Sequence, residues 1–214
     1  MELSTFIYFL LSSIALTVVP GPDNLYLLAK SISDGAKQGI ILAGGLAAGI
    51  IFHTTLVIIG VAAVIASTPV AFQLLKYLGA FYLFYLARQA YSAKPVPGKK
   101  MPVETAVASA GKPKTNGFAT FRKGLLMNIL NPKVLLFFLA FLPQFINPAG
   151  PEPGVQVAIL GLTFSIQAFV IFTIIALCAG KLGNLINKNE ISQIIMNKIQ
   201  GLVLLIIGGF LLLF

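Results

Sequence analysis

Six runs of mostly apolar residues, at roughly 5–29, 40–66, 69–91, 121–146, 154–180 and 199–214, constrain this chain most. Each approaches or exceeds the ~20 residues that a helix needs to cross a bilayer. Apolar residues make up 57% of the 214 positions and charged residues 10%. An average soluble domain carries roughly 25% charged residues, so water could not solvate the outside of such a core. Intrinsic disorder is excluded by the same hydrophobicity. The runs are rich in Leu, Ile, Ala and Gly and lack the two-residue alternation of a barrel strand. The expected fold is an all-α integral membrane protein with six transmembrane helices. The last run is short, so its helix should start a few residues earlier or tilt little.

The formal charge of +9 would suit a nucleic-acid partner, but its distribution argues for a different role. Lys30 and Lys37 fall in the first connection. Arg88, Lys94, Lys99, Lys100, Lys112, Lys114, Arg122 and Lys123 fall in or beside the third, and Lys181, Lys188 and Lys198 in the fifth. The second connection, near Ser67, Thr68 and Pro69, has no basic residue, and the fourth, 147–154, holds only the acidic Glu152. The positive-inside rule then places connections one, three and five in the cytoplasm and both termini outside. The basic excess is a topology and lipid-surface signal. The chain begins Met-Glu, without the basic stretch that opens a signal peptide, so the first span should be retained. Pro, Gly, Lys and Ser accumulate between the third and fourth runs. Three units follow: a first three-helix repeat at 1–92, a basic cytoplasmic linker at 93–118 and a second three-helix repeat at 119–214.

The halves enter the membrane from opposite sides, as in a 3+3 inverted-repeat transporter. In each half the first span is interrupted, by Pro20-Gly21-Pro22-Asp23-Asn24 and by Asn128-Ile129-Leu130-Asn131-Pro132-Lys133. Proline has no N–H and clashes with the preceding turn, yet suits the first position of a new helix. Gly21 and Asn131 should therefore cap two restarted half-helices that begin at Pro22 and Pro132. Asp23 and Lys133 then hold matching second positions with opposite charges. Opened backbone at membrane depth is tolerated where protein or a wet cavity surrounds it. Lys133 lies some ten residues inside Arg122–Lys123, which is about 15 Å at 1.5 Å per residue.

An ionisable residue inside a bilayer is a functional candidate by default. Asp23 suits a cationic group or a proton, against a plain capping role at a helix N-terminus. Lys133 suits a substrate carboxylate, against a structural ion pair with Asp23. A lysine in the first turn opposes its own helix dipole, a conflict that an anion would relieve. His53 suits a proton relay or a bond to a neighbouring carbonyl. Asn24, Asn128, Asn131 and Gln167 are deep polar groups that suit substrate contact or interhelical hydrogen bonding equally. Gly39, Gly44, Gly45 and Gly49 permit close helix approach. Phe137, Phe138, Phe141 and Phe145 are expected to cover more than one helix face, in lipid contact and core packing. One cysteine, Cys178, and one histidine argue against a disulfide or a metal site. A phosphate loop, a Ser-His-Asp set and paired metal carboxylates are all missing, so no enzyme, metal or cofactor is expected.

These motifs resemble those of the LysE/RhtB family of bacterial amino-acid exporters, of the homoserine/threonine efflux type. The resemblance rests on PGPDNLYLLAKSISDGAKQGI at 20–40, HTTLVIIGVAAVI at 53–65, LLKYLGAFYLFYLARQAY at 74–91 and FRKGLLMNILNPKVLLFFLAFLPQFI at 121–146. It implies a small carrier of the inner membrane that exports amino acids by proton-motive force. Its motifs map onto Pro20, Gly21 and Pro22, and onto Asn131, Pro132 and Lys133. The expected partners are an amino acid, protons and membrane lipids, with a homo-oligomer compatible and nucleic acid excluded. Only Asp23 among the acids is deep, which suits a neutral zwitterion better than lysine or arginine. A channel or structural subunit is the rival from another class.

Overall fold

The computed structural model describes residues 2–19, 21–65, 69–92, 116–147, 149–179 and 190–213. Pro20, Ser67 and Thr68, and positions 93–115 of the expected linker lie outside them. Among the described residues the chain is all helix. Helix α1 spans Leu3–Val18 and α2 Pro22–Asp34. Gly35 follows with φ of 88°, a left-handed conformation that glycine adopts without a Cβ penalty. It turns the chain into α3, Ala36–Ile65. Helix α4 is Pro69–Ser92 and α5 is Gly117–Ile129. Helix α6, Pro132–Leu136, runs on as a π-helical turn at Phe137–Phe141 and a 3-10 turn at Leu142–Phe145. Helix α7 is Pro153–Leu177 and α8 is Glu190–Leu213. The last helix thus starts before the apolar run that announced it.

Ala36–Gly60 and Pro153–Leu177 are each long and apolar enough to cross a membrane. So are two bent pairs, Leu3–Val18 with Pro22–Asp34 at 58° and Gly117–Ile129 with Pro132–Phe145 at 50°. Helix α4, which carries Lys76 and Arg88, and the shorter apolar stretch Asn197–Leu213 of α8 fall outside that set, and they pack on each other. Large apolar side chains line the outer surface: Ile59, Phe81, Ile166, Leu177 and Ile206 are 61–66% exposed. Such a surface fits lipid rather than water.

The most extensive helix contacts pair α3 with α5, α3 with α7 and α4 with α8. Each joins a helix before the expected linker to one after it, so the two halves share one core. Glycine makes the first of these pairs possible. A Cβ on Gly45 would strike the Phe121 carbonyl, and one on Gly124 the Leu42 carbonyl, so the α3 and α5 backbones are nearly in contact. Ser165 of α7 donates to the Ala47 carbonyl of α3 at 2.9 Å. At the end of α2, Lys30 pairs with Asp34. Beside it the Lys123 ammonium lies 4.1 Å from the centre of the Tyr26 ring, joining α5 to α2.

The phenylalanines differ from expectation. Phe137, Phe138, Phe141 and Phe145 are all buried and pack with Phe9, Phe164 and Phe210. The π-helical and 3-10 turns that carry them set all four toward the core, so they form one inward face and not several.

Candidate functional site

Both broken spans restart as their prolines dictate. Gly21, extended at φ −150°, precedes Pro22, the first residue of α2. Asn131 precedes Pro132, and its Oδ1 accepts the Lys133 backbone N–H at 3.0 Å. The breaks leave carbonyls without their usual partners. Four residues on from Leu16, Val18 and Asn128 stand Pro20, Pro22 and Pro132, none of which has an N–H to give. In an apolar surrounding each such carbonyl needs another donor.

Those donors are the residues that the sequence marked. The Asn24 side-chain amide donates to the carbonyls of Thr17 at 2.9 Å, Val19 at 3.1 Å and Val18 at 3.4 Å. The Lys133 ammonium, from the other break, donates to the carbonyls of Leu16 at 3.3 Å and Val19 at 3.4 Å. In return Asn131 donates through Nδ2 to Oδ2 of Asp23 at 2.6 Å. The Asn128 carbonyl accepts from the Asn131 N–H at 2.9 Å, and Nε2 of His53 lies 3.0 Å from it. The second break thus helps to complete the first through Lys133 and is tied to it through Asn131, while its own Asn128 carbonyl is served by the Asn131 N–H and His53.

This arrangement resolves the dipole conflict expected for Lys133. The side chain leaves its own helix and places its charge at the carbonyl end of α1, where a cation is favoured. Gly21 makes the room: a Cβ there would lie 3.2 Å from the Lys133 nitrogen. Asp23 keeps its carboxylate in the first turn of α2, where an anion is favoured. Among the described residues the ion pair within 4.0 Å is Lys30 with Asp34, so Asp23 and Lys133 do not touch.

A cavity of about 20 Å³ lies between the breaks, room for about one water. Its polar lining is Thr17, Asp23, Asn24, Asn128 and Lys133. Asp23 and Asn128 are buried, and Oδ1 of Asn128 has no hydrogen-bond partner. The structure thus brings Asp23, Asn24, Asn128 and Lys133 to one place, with Asn131 just behind. His53, fully buried, and Gln167 stand outside the lining. Gln167 donates to the Thr17 hydroxyl at 3.0 Å, and that hydroxyl donates to the Ser13 carbonyl at 2.8 Å. Thr17 was not anticipated. Its signal was a hydroxyl residue one turn ahead of Pro20 in an apolar run. Among the described residues no three His, Cys, Asp or Glu side chains gather as a metal site would require.

Comparison with known proteins agrees along nearly the whole chain. The family model described as LysE type translocator matches residues 14–213. The leucine efflux protein of Salmonella typhimurium is 32% identical over 195 residues, which cover 91% of this chain and 88% of that protein. The leucine efflux protein of Salmonella choleraesuis matches to the same extent. The uncharacterized membrane protein YrhP of Bacillus subtilis is 32% identical over 193 residues, covering 90% of this chain and 91% of that one. No solved structure matches the chain.

Proposed function

The chain belongs to the LysE type translocator family, and on that premise we propose that it is a secondary carrier exporting neutral amino acids. The observation that carries this reading is that one carboxylate and one ammonium, Asp23 and Lys133, line one small cavity. A zwitterion needs one anion for its ammonium and one cation for its carboxylate. The half-helix ends add to the second, since the starts of α2 and α6 are both positive dipole ends that favour a carboxylate. In this reading the amino acid takes over the hydrogen-bonding partners that the two breaks give each other. Two relatives are named leucine efflux proteins, which supports a neutral substrate. Lysine or arginine would need a second acid, and Asp23 is the one carboxylate in the cavity lining.

The same reading places the chain in a bacterial inner membrane with six crossings. They divide into repeats at 1–92 and 119–214 joined by the basic cytoplasmic linker 93–118, with both termini outside. Proton-motive force drives export, and Asp23 is the candidate proton carrier. Pro20, Gly21, Pro22 and Pro132 serve by opening the backbone at this depth.

Uptake of labelled amino acids into everted membrane vesicles tests the proposal, since uptake there corresponds to export from the cell. Neutral amino acids should accumulate and an uncoupler should abolish accumulation. Preference for lysine and arginine would overturn the substrate. Equilibration indifferent to the uncoupler would point to a channel.

A further inference from the structure

We propose that the cavity has a second wall that reads the substrate's side chain, that this wall takes an aliphatic side chain, and that Ala168 sets its size limit. The inference rests on the carrier reading above. The lining divides by chemistry and by position. Its polar members all belong to the two broken spans, whereas the members from the unbroken helices are apolar: Ile50 of α3, and Phe164, Ala168 and Phe172 of α7. The three α7 residues are spaced four apart, so they stand on one face of the helix. A zwitterion held at the breaks by its two charged groups has its side chain left to meet this wall. A charged or hydrogen-bonding side chain would be buried there without a partner, which is unfavourable. An aliphatic one loses only contact with water.

Ala168 is the smallest of the three and fully buried. Phe164 is held by rings on several sides, with centroids 5.3 Å from Phe138, 5.4 Å from Phe137 and 6.5 Å from Phe9. It is a fixed part of the core. Phe172 takes no part in those ring contacts and is buried one turn beyond Ala168. The space over Ala168, between two buried rings of the same helix face, is therefore where added or removed volume changes what fits. Two further methyl groups on residue 168 would project from the lining into the space that a side chain has to enter, and close-packed surroundings leave them nowhere else to go.

The experiment compares everted-vesicle uptake of labelled alanine, valine, leucine and phenylalanine by wild type, Ala168→Val and Phe172→Leu, each normalised to carrier abundance. One methylene in an apolar pocket discriminates by about 10-fold or more. Ala168→Val should therefore lower the leucine-to-alanine uptake ratio by about that factor, and Phe172→Leu should raise the phenylalanine-to-leucine ratio severalfold. If Ala168→Val does not accumulate, the Phe172→Leu ratio alone decides. Equal scaling of all four substrates in every variant that accumulates would overturn the side-chain wall while leaving the carrier reading intact. No uptake of any of the four by wild type would overturn both.

Discussion

Asn131 donates a hydrogen bond of 2.6 Å to the carboxylate of Asp23, a residue 108 positions away in sequence. Its other side-chain atom, Oδ1, caps the half-helix on which Lys133 stands. One amide therefore ties the start of α6 to the start of α2. Lys133 returns the connection by satisfying the carbonyls of Leu16 and Val19 at the end of α1. The two helix breaks, each unfavourable alone in an apolar medium, form one polar unit. That unit is where a carrier would exchange internal partners for substrate.

The Asn131–Asp23 bond can be tested by charge. Asn131→Asp keeps a good helix cap but sets a second carboxylate against Asp23. Losing a hydrogen bond to a charged group costs about 1.5–3 kcal/mol, and like-charge repulsion adds to it. A thermal-shift measurement on detergent-purified protein should show a clear loss of stability. Adding Asp23→Asn restores one donor and one carboxylate, so the double variant should recover most of the loss. Failure to recover would mean that the two side chains are not partners.

Gly21 is read as a space for Lys133 rather than a conformational necessity, because its backbone is extended. Gly21→Ala places a methyl 3.2 Å from the Lys133 nitrogen. The flexible end of the lysine can move away, so membrane abundance should hold. The ammonium would leave the α1 carbonyls, and export should fall about 10-fold, the equivalent of one charge-assisted hydrogen bond. Wild-type export by this variant would dissociate the Lys133 position from function.

His53 is buried beside Asn128 but off the cavity lining. The Asn128 carbonyl keeps the Asn131 N–H when the imidazole is removed. His53→Gln should thus lower stability by about 0.6 kcal/mol, the average for an interhelical bond in a membrane protein, and leave export within about threefold. Loss of uncoupler-sensitive export at normal abundance would instead make His53 a proton carrier.

The local parts of this site were legible in the sequence because proline chemistry is local. Pro22 and Pro132 open helices, Gly21 and Asn131 precede them, and Asp23 and Lys133 follow. The exchange between the breaks was not legible, because no local pattern states that Lys133 reaches Leu16 or that Asn131 reaches Asp23. The α7 wall was hidden for a similar reason. Phe164, Ala168 and Phe172 read as ordinary span residues until packing sets them opposite the charges. The phenylalanines after Lys133 were misjudged because no local pattern announced the π-helical and 3-10 turns that carry them, in which positions 137, 138, 141 and 145 are all buried. The last helix does start ahead of its apolar run, through first turns that are polar.

The proposed orientation rests on the alternation of basic connections. With Cys178, the only cysteine, replaced by serine, Ala149→Cys should react with an impermeant thiol reagent on intact cells and Ala108→Cys should not. The reverse pattern would invert the assigned topology.

The measurement closest to the central claim is uptake of labelled leucine into everted vesicles by wild type, Asp23→Asn, Lys133→Met and the double variant at matched abundance. If both residues grip the zwitterion, each single variant should lose most transport and the double variant should remain inactive, because both anchors are gone. If the pair serves only to neutralise one another within the fold, removing both charges together should return much of the lost activity, and that recovery would contradict the account.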